Sequence, residues 1–220
     1  LMKQVDEKLL DHAALREALP SAIFSFSAGK ENPLADYMAM KNISFHDASM
    51  KFGTAPDWGI NGKAAIHALK LDTLQLDTVF FTVKQDTTRM NLRAGVINGP
   101  KNPQFSFSTI LTGEIRDRDA ELLAEYKNEK GKTGVLLGVN ARPLVGGRGK
   151  GDGLAFTLIP EEPIIAFRKF HFNEDHNWIY LHKNMRVYAN VDMWDDEGMG
   201  FRVHSVQGDT VSLQNIDVEI

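Results

Sequence analysis

From Ile60 to the carboxy end, apolar and polar residues alternate with a period of two, and turn residues interrupt the alternation every dozen or so positions. Met90, Leu92, Ala94 and Val96 form one run, closed by Asn98-Gly99-Pro100. Phe105, Phe107, Thr109, Leu111 and Ile115 form the next, and the charged stretch Arg116-Asp117-Arg118-Asp119 separates it from Leu122, Ala124 and Tyr126. Val135, Leu137 and Val139 continue the series, followed by Leu154, Phe156 and Leu158. Val187, Ala189, Val191 and Met193 lead into an acidic turn, and Met199, Phe201 and Val203 return from it. Roughly ten strands joined by short turns predict an antiparallel meander, because a βαβ fold would need a helix between successive strands.

The first quarter of the chain has a different texture. Val5, Leu9 and Ala13 recur at helical spacing, with Leu10 and Ala14 widening the stripe, so Lys3 to Leu19 reads as an amphipathic helix ended by Pro20. A second short helix fits Pro33 to Met40, with Asn32 as its cap and proline at its first position. Ser21 to Ser27 and Ile43 to Phe52 read as strands. The expected organisation is a mixed α/β segment over residues 1–58 and a β domain over residues 59–220.

The alternation slips out of phase at two Asp-Thr pairs, Asp72-Thr73 and Asp77-Thr78, and again at Asn215, between Leu213 and Ile216. One extra residue in a strand exchanges its two faces, so each slip predicts a bulge or a sharp bend. A sheet bent at such points curls into an elongated groove or half-pipe. Periodicity alone allows a β-sandwich with ordinary edge bulges equally well, as a ligand-binding or structural module of a secreted or surface protein.

Composition narrows the function classes. Hydrophobic residues make up 43% and charged residues 25% of the 220, an ordinary globular balance. The formal charge, 25 − 29 = −4, gives no electrostatic reason to expect nucleic acid. No run reaches the roughly 18 apolar residues that cross a bilayer, and the amino end lacks the order of a signal peptide. Cysteine is absent, which removes disulfides, thiolate nucleophiles and cysteine zinc sites without fixing the compartment. The chain begins at Leu1 and ends in a strand-like run, Val211 to Ile220, so both ends are expected to be cuts in a longer chain.

Candidates for chemistry weaken one by one. The glycine-rich stretch Gly146 to Gly153 fails the P-loop pattern, because Gly151 stands at the Ser/Thr position and Leu144 at the first glycine; it reads as a hairpin loop. His171, His176 and His182 are possible metal ligands. With a hairpin turn at Asp175, however, His171 and His182 point to opposite faces, while Phe170, Phe172, Trp178, Tyr180 and His182 share one. Asp192 to Gly198 lacks calcium-loop spacing and reads as a solvated turn. With no catalytic motif to anchor an active site, the expectation is a non-catalytic protein without cofactor or metal.

From about Gly59 to Ile220 the strand and turn text resembles the carboxy-terminal region of TamB-like proteins, the translocation and assembly module family related to the AsmA group, in the form found in Bacteroidetes. The resemblance is carried by Leu69-Lys70-Leu71-Asp72-Thr73-Leu74-Gln75-Leu76-Asp77-Thr78, Val96-Ile97-Asn98-Gly99-Pro100, Leu111-Thr112-Gly113-Glu114-Ile115 and Asn140-Ala141-Arg142-Pro143-Leu144, with Leu158-Ile159-Pro160-Glu161-Glu162-Pro163 and Val206-Gln207-Gly208-Asp209-Thr210. It implies a periplasmic protein, anchored in the inner membrane and reaching the outer membrane, whose apolar β-groove supports phospholipid transport or outer-membrane protein assembly. The implied partners are phospholipid acyl chains and an outer-membrane barrel-assembly protein met through a strand edge. Candidate groove-lining residues are Leu92, Val96, Phe105, Phe107, Leu111, Val135, Leu137, Leu154, Phe156, Leu158, Val187, Val191, Phe201, Val203 and Leu213. The pattern leaves open which strand face lines the groove, and whether that face meets lipid or is closed as core.

Overall fold

A computed structural model describes residues 8–144, 153–183, 185–205 and 216–219; for Glu174 and for the last of these stretches only the backbone is considered. The elements in chain order are α1 (His12–Glu17), β1 (Ala22–Ala28), α2 (Pro33–Ala39), β2 (Ile43–Ser44), β3 (Asp47–Ala55), β4 (Gly59–Leu71) and β5 (Leu74–Gln85). They continue with β6 (Arg89–Asn98), β7 (Phe107–Arg116), β8 (Ala120–Lys127), β9 (Thr133–Leu144) and β10 (Gly153–Ile165). The last are β11 (Arg168–His182), β12 (Val187–Asp195), β13 (Gly200–Ser205) and β14 (Ile216–Glu219). All strands belong to one 14-stranded sheet in the order β1-β3-β4 and then consecutively to β14, with β2 paired to the far end of β4. Every pairing is antiparallel. The mainly-β meander is therefore the fold. The ladder is unbroken, so the two-sheet sandwich does not form.

The sheet also runs through the change of texture at residue 58. β1 pairs with β3 from Ala22↔Thr54 to Ala28↔Ala48, and β3 with β4 from Asp47↔His67 to Ala55↔Gly59. Short strands with apolar residues every second position need a neighbour to satisfy their backbone groups, and β4 provides that edge.

Both short helices start where a side chain caps them. Asn32 Oδ1 accepts the N–H groups of Leu34 at 3.0 Å and Ala35 at 3.1 Å, as expected for α2. The first helix is shorter than its apolar stripe suggested. Asp11 accepts the Ala14 N–H at 3.0 Å and starts α1 at His12, so residues 8–10 lie outside the helix. Residues 1–7, the rest of the expected helix, lie outside the described residues.

The phase slips resolve differently from one another. Asp72-Thr73 is no bulge but the two-residue turn between β4 and β5, with Leu71 opposite Leu74 and Asp72 at φ 53°. Such hairpin turns need positive φ, which Asp tolerates better than most residues. At Asp77-Thr78 the β5–β6 ladder ends with Thr78↔Ile97, and side chains replace it. Asn98 Oδ1 accepts the Asp77 N–H at 2.9 Å, and Asp77 Oδ2 accepts the Gly99 N–H at 2.7 Å. Asn215 lies outside the described residues, as do residues 146–152 of the glycine-rich stretch.

A further correction concerns residues 167–183. Residues 168–182 form one long strand, β11, not a hairpin turning at Asp175; the chain reverses at Ala166-Phe167, both at positive φ, and again after His182. The polar run Asn173 to Asn177 is a bulge, where the β11–β12 register shifts between Phe172 and Asn177. Sequence pattern does not distinguish a polar bulge from a polar turn, because both interrupt alternation in the same way.

α1 is fastened across the ends of several strands. His12 is fully buried; its Nε2 donates to the Ile115 carbonyl at 3.0 Å and its Nδ1 accepts from Gln85 Nε2 at 3.2 Å, a tautomer assigned from these two partners. Gln85 Oε1 in turn accepts the Ile60 N–H at 3.0 Å, and the Leu9 N–H donates to the Asp117 carbonyl. The helix is tied in this way to β4, β5 and β7.

Buried hydrophobic side chains are few among the described residues. Phe170, Ala189, Val191 and Met193 cluster at β11–β12, and the others are Ala28, Phe45, Ala55 and Val83. The rest of the apolar alternation stays half-buried or exposed.

Candidate functional site

In an antiparallel ladder, directly opposed residues point to the same side, so the register traces each face across the sheet. One row runs Phe24, Phe52, Gly62, Val83, Leu92, Gly113, Leu122, Val139, Leu158 from β1 to β10. The next row, two residues along each strand, is Phe26, Met50, Ala64, Phe81, Ala94, Leu111, Ala124, Leu137. A third is Ala28, Ala48, Ile66, Val79, Val96, Thr109, Tyr126, Val135, Ile165. No charged residue occurs in any of the three.

The opposite side of the same strands is polar. Its central row reads Ser25, Lys51, Lys63, Thr82, Arg93, Thr112, Leu123, Gly138, Ile159. Beside it lie Lys84, Asn91, Glu114, Glu121, Asn140 and Thr157. Ion pairs hold part of this side together: Arg116 meets Glu114 at 2.8 Å and Asp119 at 3.2 Å. Across the rows from β1 to β10 the charge is confined to one side, and the other is left as hydrocarbon; at β11–β12 the Arg168–Asp195 ion pair lies on the apolar side.

The candidate lining residues sort cleanly. Leu92, Val96, Phe107, Leu111, Val135, Leu137, Leu154, Phe156, Leu158, Val187, Val191, Phe201 and Val203 all share the apolar side. Phe105 precedes β7 and lies outside the ladder, with its ring 5.5 Å from that of Phe107. Leu213 lies outside the described residues. The sequence reading missed Phe24, Phe26, Phe52, Val79, Val83 and Phe81, which carry the face on to β1. Their alternation was visible as Phe24-Ser25-Phe26 and Met50-Lys51-Phe52, but the helices on either side set that segment apart.

The face differs along its width. At β11–β13 it is closed: Met193, 1% exposed, stands between Phe172 and Phe201 in the register, and Val191 is equally buried. From β1 to β8 it is partly open: Phe24 57%, Phe26 37%, Phe81 36%, Leu111 40% and Leu122 41% are exposed, while Ala28 and Val83 are buried. Gly62 leaves room for the Phe52 ring to lie flat over β4, since a Cβ there would come within 2.1 Å of it. Phe52 stacks in turn on Phe81 at 6.0 Å. Contiguous apolar exposure on this scale marks an interaction surface in water-exposed proteins.

Among the described residues, histidines and acidic groups form no competing centre. The bulge in β11 changes the expected face assignment: Phe170 and Phe172 share the apolar side, while Trp178, Tyr180 and His182 lie on the polar one. His171 and His182 therefore point the same way, but eleven residues of strand, roughly 35 Å, separate them. His171 Nε2 lies 3.0 Å from Asp196 Oδ1, and the His182 ring packs edge-on against Tyr188. Among the described residues no three His, Cys, Asp or Glu side chains gather to hold a metal ion.

The acidic turn after β12 is structural. Asp195, almost fully buried, accepts the N–H groups of Glu197 and Met199, and Arg168 bonds it at 2.9 Å and Glu197 at 2.6 Å. The Arg168 guanidinium, aided by those two backbone donors, holds the Asp195 carboxyl below the usual carboxylate range. No described helix is long and apolar enough to cross a membrane. No family model matches the chain, nor does any curated protein or solved structure.

Proposed function

We propose that the apolar side of the sheet is the floor of an open groove that carries the acyl chains of phospholipid. The chain would then act as a non-catalytic, periplasmic part of an envelope-spanning protein that moves lipid towards the outer membrane or supports protein assembly there, as its resemblance to TamB-like proteins implies. The observation that supports this reading is the set of charge-free rows that leave Phe24, Phe26, Phe81, Leu111 and Leu122 exposed between β1 and β8. Open twisted sheets of more than about ten strands curl, and this one has 14. Successive rows on one face lie about 7 Å apart, so three rows cover roughly 15 Å. Half of a bilayer's hydrocarbon core is also about 15 Å thick, so one acyl chain fits across the floor. Each methylene withdrawn from water contributes about 0.8 kcal/mol, while an open side leaves the headgroup hydrated.

The test is phospholipid carried through purification, read by mass spectrometry, together with binding of a fluorescent fatty acid. Leu111→Asp with Leu122→Asp places two carboxylates on the floor and should weaken fatty-acid binding at least tenfold. Thr112→Asp, on the opposite side of β7, should leave it unchanged. Purified protein free of acyl species, with fatty-acid binding indifferent to the double substitution, would refute the groove.

A further inference from the structure

The polar side of β3–β5 carries a cluster of cations that form no ion pair among the described residues. Lys51 and Lys63 face each other directly across β3 and β4, and Lys84 on β5 is diagonal to Lys63. Like charges set directly opposite destabilise a strand pair, and diagonal neighbours stay within reach of long side chains. All three are exposed, and among the described residues none is ion-paired, although Lys8, Arg89, Arg116, Lys127, Arg168 and Lys169 each are. The net charge of the chain is −4, so this local excess of positive charge runs against its overall balance.

The lysines border a cleft of about 590 Å³ with a hydrocarbon wall. The indole of Trp58 points its Cη2 edge at Gly53, where a Cβ would come within 2.5 Å of it, so the ring stands beside the cleft. Asn61 Nδ2 donates to the Trp58 carbonyl at 2.7 Å and fixes the turn that carries it. Ile23, 72% exposed, completes the same edge. The cleft thus sets three lysine side chains beside an exposed indole and an exposed aliphatic side chain.

We infer that this cleft binds the phosphate of a small amphiphile, with the anion held by Lys51, Lys63 and Lys84 and the apolar portion laid along Trp58 and Ile23. A phosphate relieves the repulsion of the opposed lysines by direct charge pairing, and the indole face shelters hydrocarbon next to it. The site is on the opposite side of the sheet from the acyl-chain floor and does not depend on it.

Hexyl phosphate and inorganic phosphate, titrated calorimetrically into the whole chain at low and at moderate salt, test the inference. Hexyl phosphate should bind at least tenfold more tightly than inorganic phosphate, and its affinity should fall as salt rises. Lys51→Gln with Lys63→Gln should weaken it at least tenfold without lowering the thermal midpoint, since the substitution removes a repulsion. Trp58→Ala should bring the hexyl ester down to the affinity of inorganic phosphate. Leu111→Asp, on the apolar side, should leave hexyl phosphate binding intact, which separates this site from the groove. Equal affinity of the wild type for both probes would assign the lysines to free phosphate and overturn the amphiphile. Failure of the folded wild type to bind either probe, or unchanged binding by the double lysine variant, would overturn the site.

Discussion

Truncating Leu111 and Met193 to alanine, one at a time, measures how open the apolar face is. Both residues project to that face, Leu111 from β7 and Met193 from β12. Met193 is 1% exposed and has Phe172 and Phe201 as cross-strand partners, so Met193→Ala removes a fully buried side chain and leaves a cavity. Such substitutions cost about 2–5 kcal/mol. Leu111 retains 40% of its surface, so only part of the roughly 1.5–3 kcal/mol for burying a leucine is at stake, and solvent fills the space left. Alanine there should cost about 1 kcal/mol. Urea unfolding at neutral pH, with lipid stripped from the protein, reads both differences on one scale. A cost for Leu111→Ala in the range of about 2–5 kcal/mol, with an unchanged denaturant slope, would show the middle strands to be covered and would refute an open face.

Arg168→Gln tests the pinned acidic turn. The Asp195 carboxyl titrates below its ordinary value in the fold, so the stability it lends is present above the unfolded carboxylate pKa of about 4 and is lost as pH falls through the lower native value. The destabilisation caused by Arg168→Gln should be full at pH 7 and shrink below pH 4; urea midpoints displaced equally at pH 7 and pH 3 would contradict the pairing. His12→Ala removes the two bonds that fasten α1 and strips partners from the buried Gln85 amide and Ile115 carbonyl, a loss of about 1–3 kcal/mol. Amide hydrogen exchange across residues 9–17 should accelerate well beyond that of β7, and equal protection before and after the change would refute the anchoring role.

The local alternation by itself determined that this chain forms antiparallel strands and which residues of each strand go together. Leu92, Leu111, Leu137 and Leu158 are separated along the chain, and their parity within each run already assigned them to one side of their own strand. The caps were equally local: Asn32 sets the start of α2 through its own side chain. Whether neighbouring strands bring their apolar sides to the same face depends on register, which is a property of pairs of strands and has no trace in any one of them. The bulge at Asn173 to Asn177 shows this directly, since it separates Phe172 from Trp178 by face although both look alike in the pattern. Only the tertiary structure decided that β1 and β3 join the same sheet, so that Phe24, Phe26 and Phe52 extend the apolar floor. It also decided how that floor divides: Met193 is buried between its cross-strand neighbours Phe172 and Phe201, while the strands from β1 to β8 leave Phe24, Phe81 and Leu111 facing solvent.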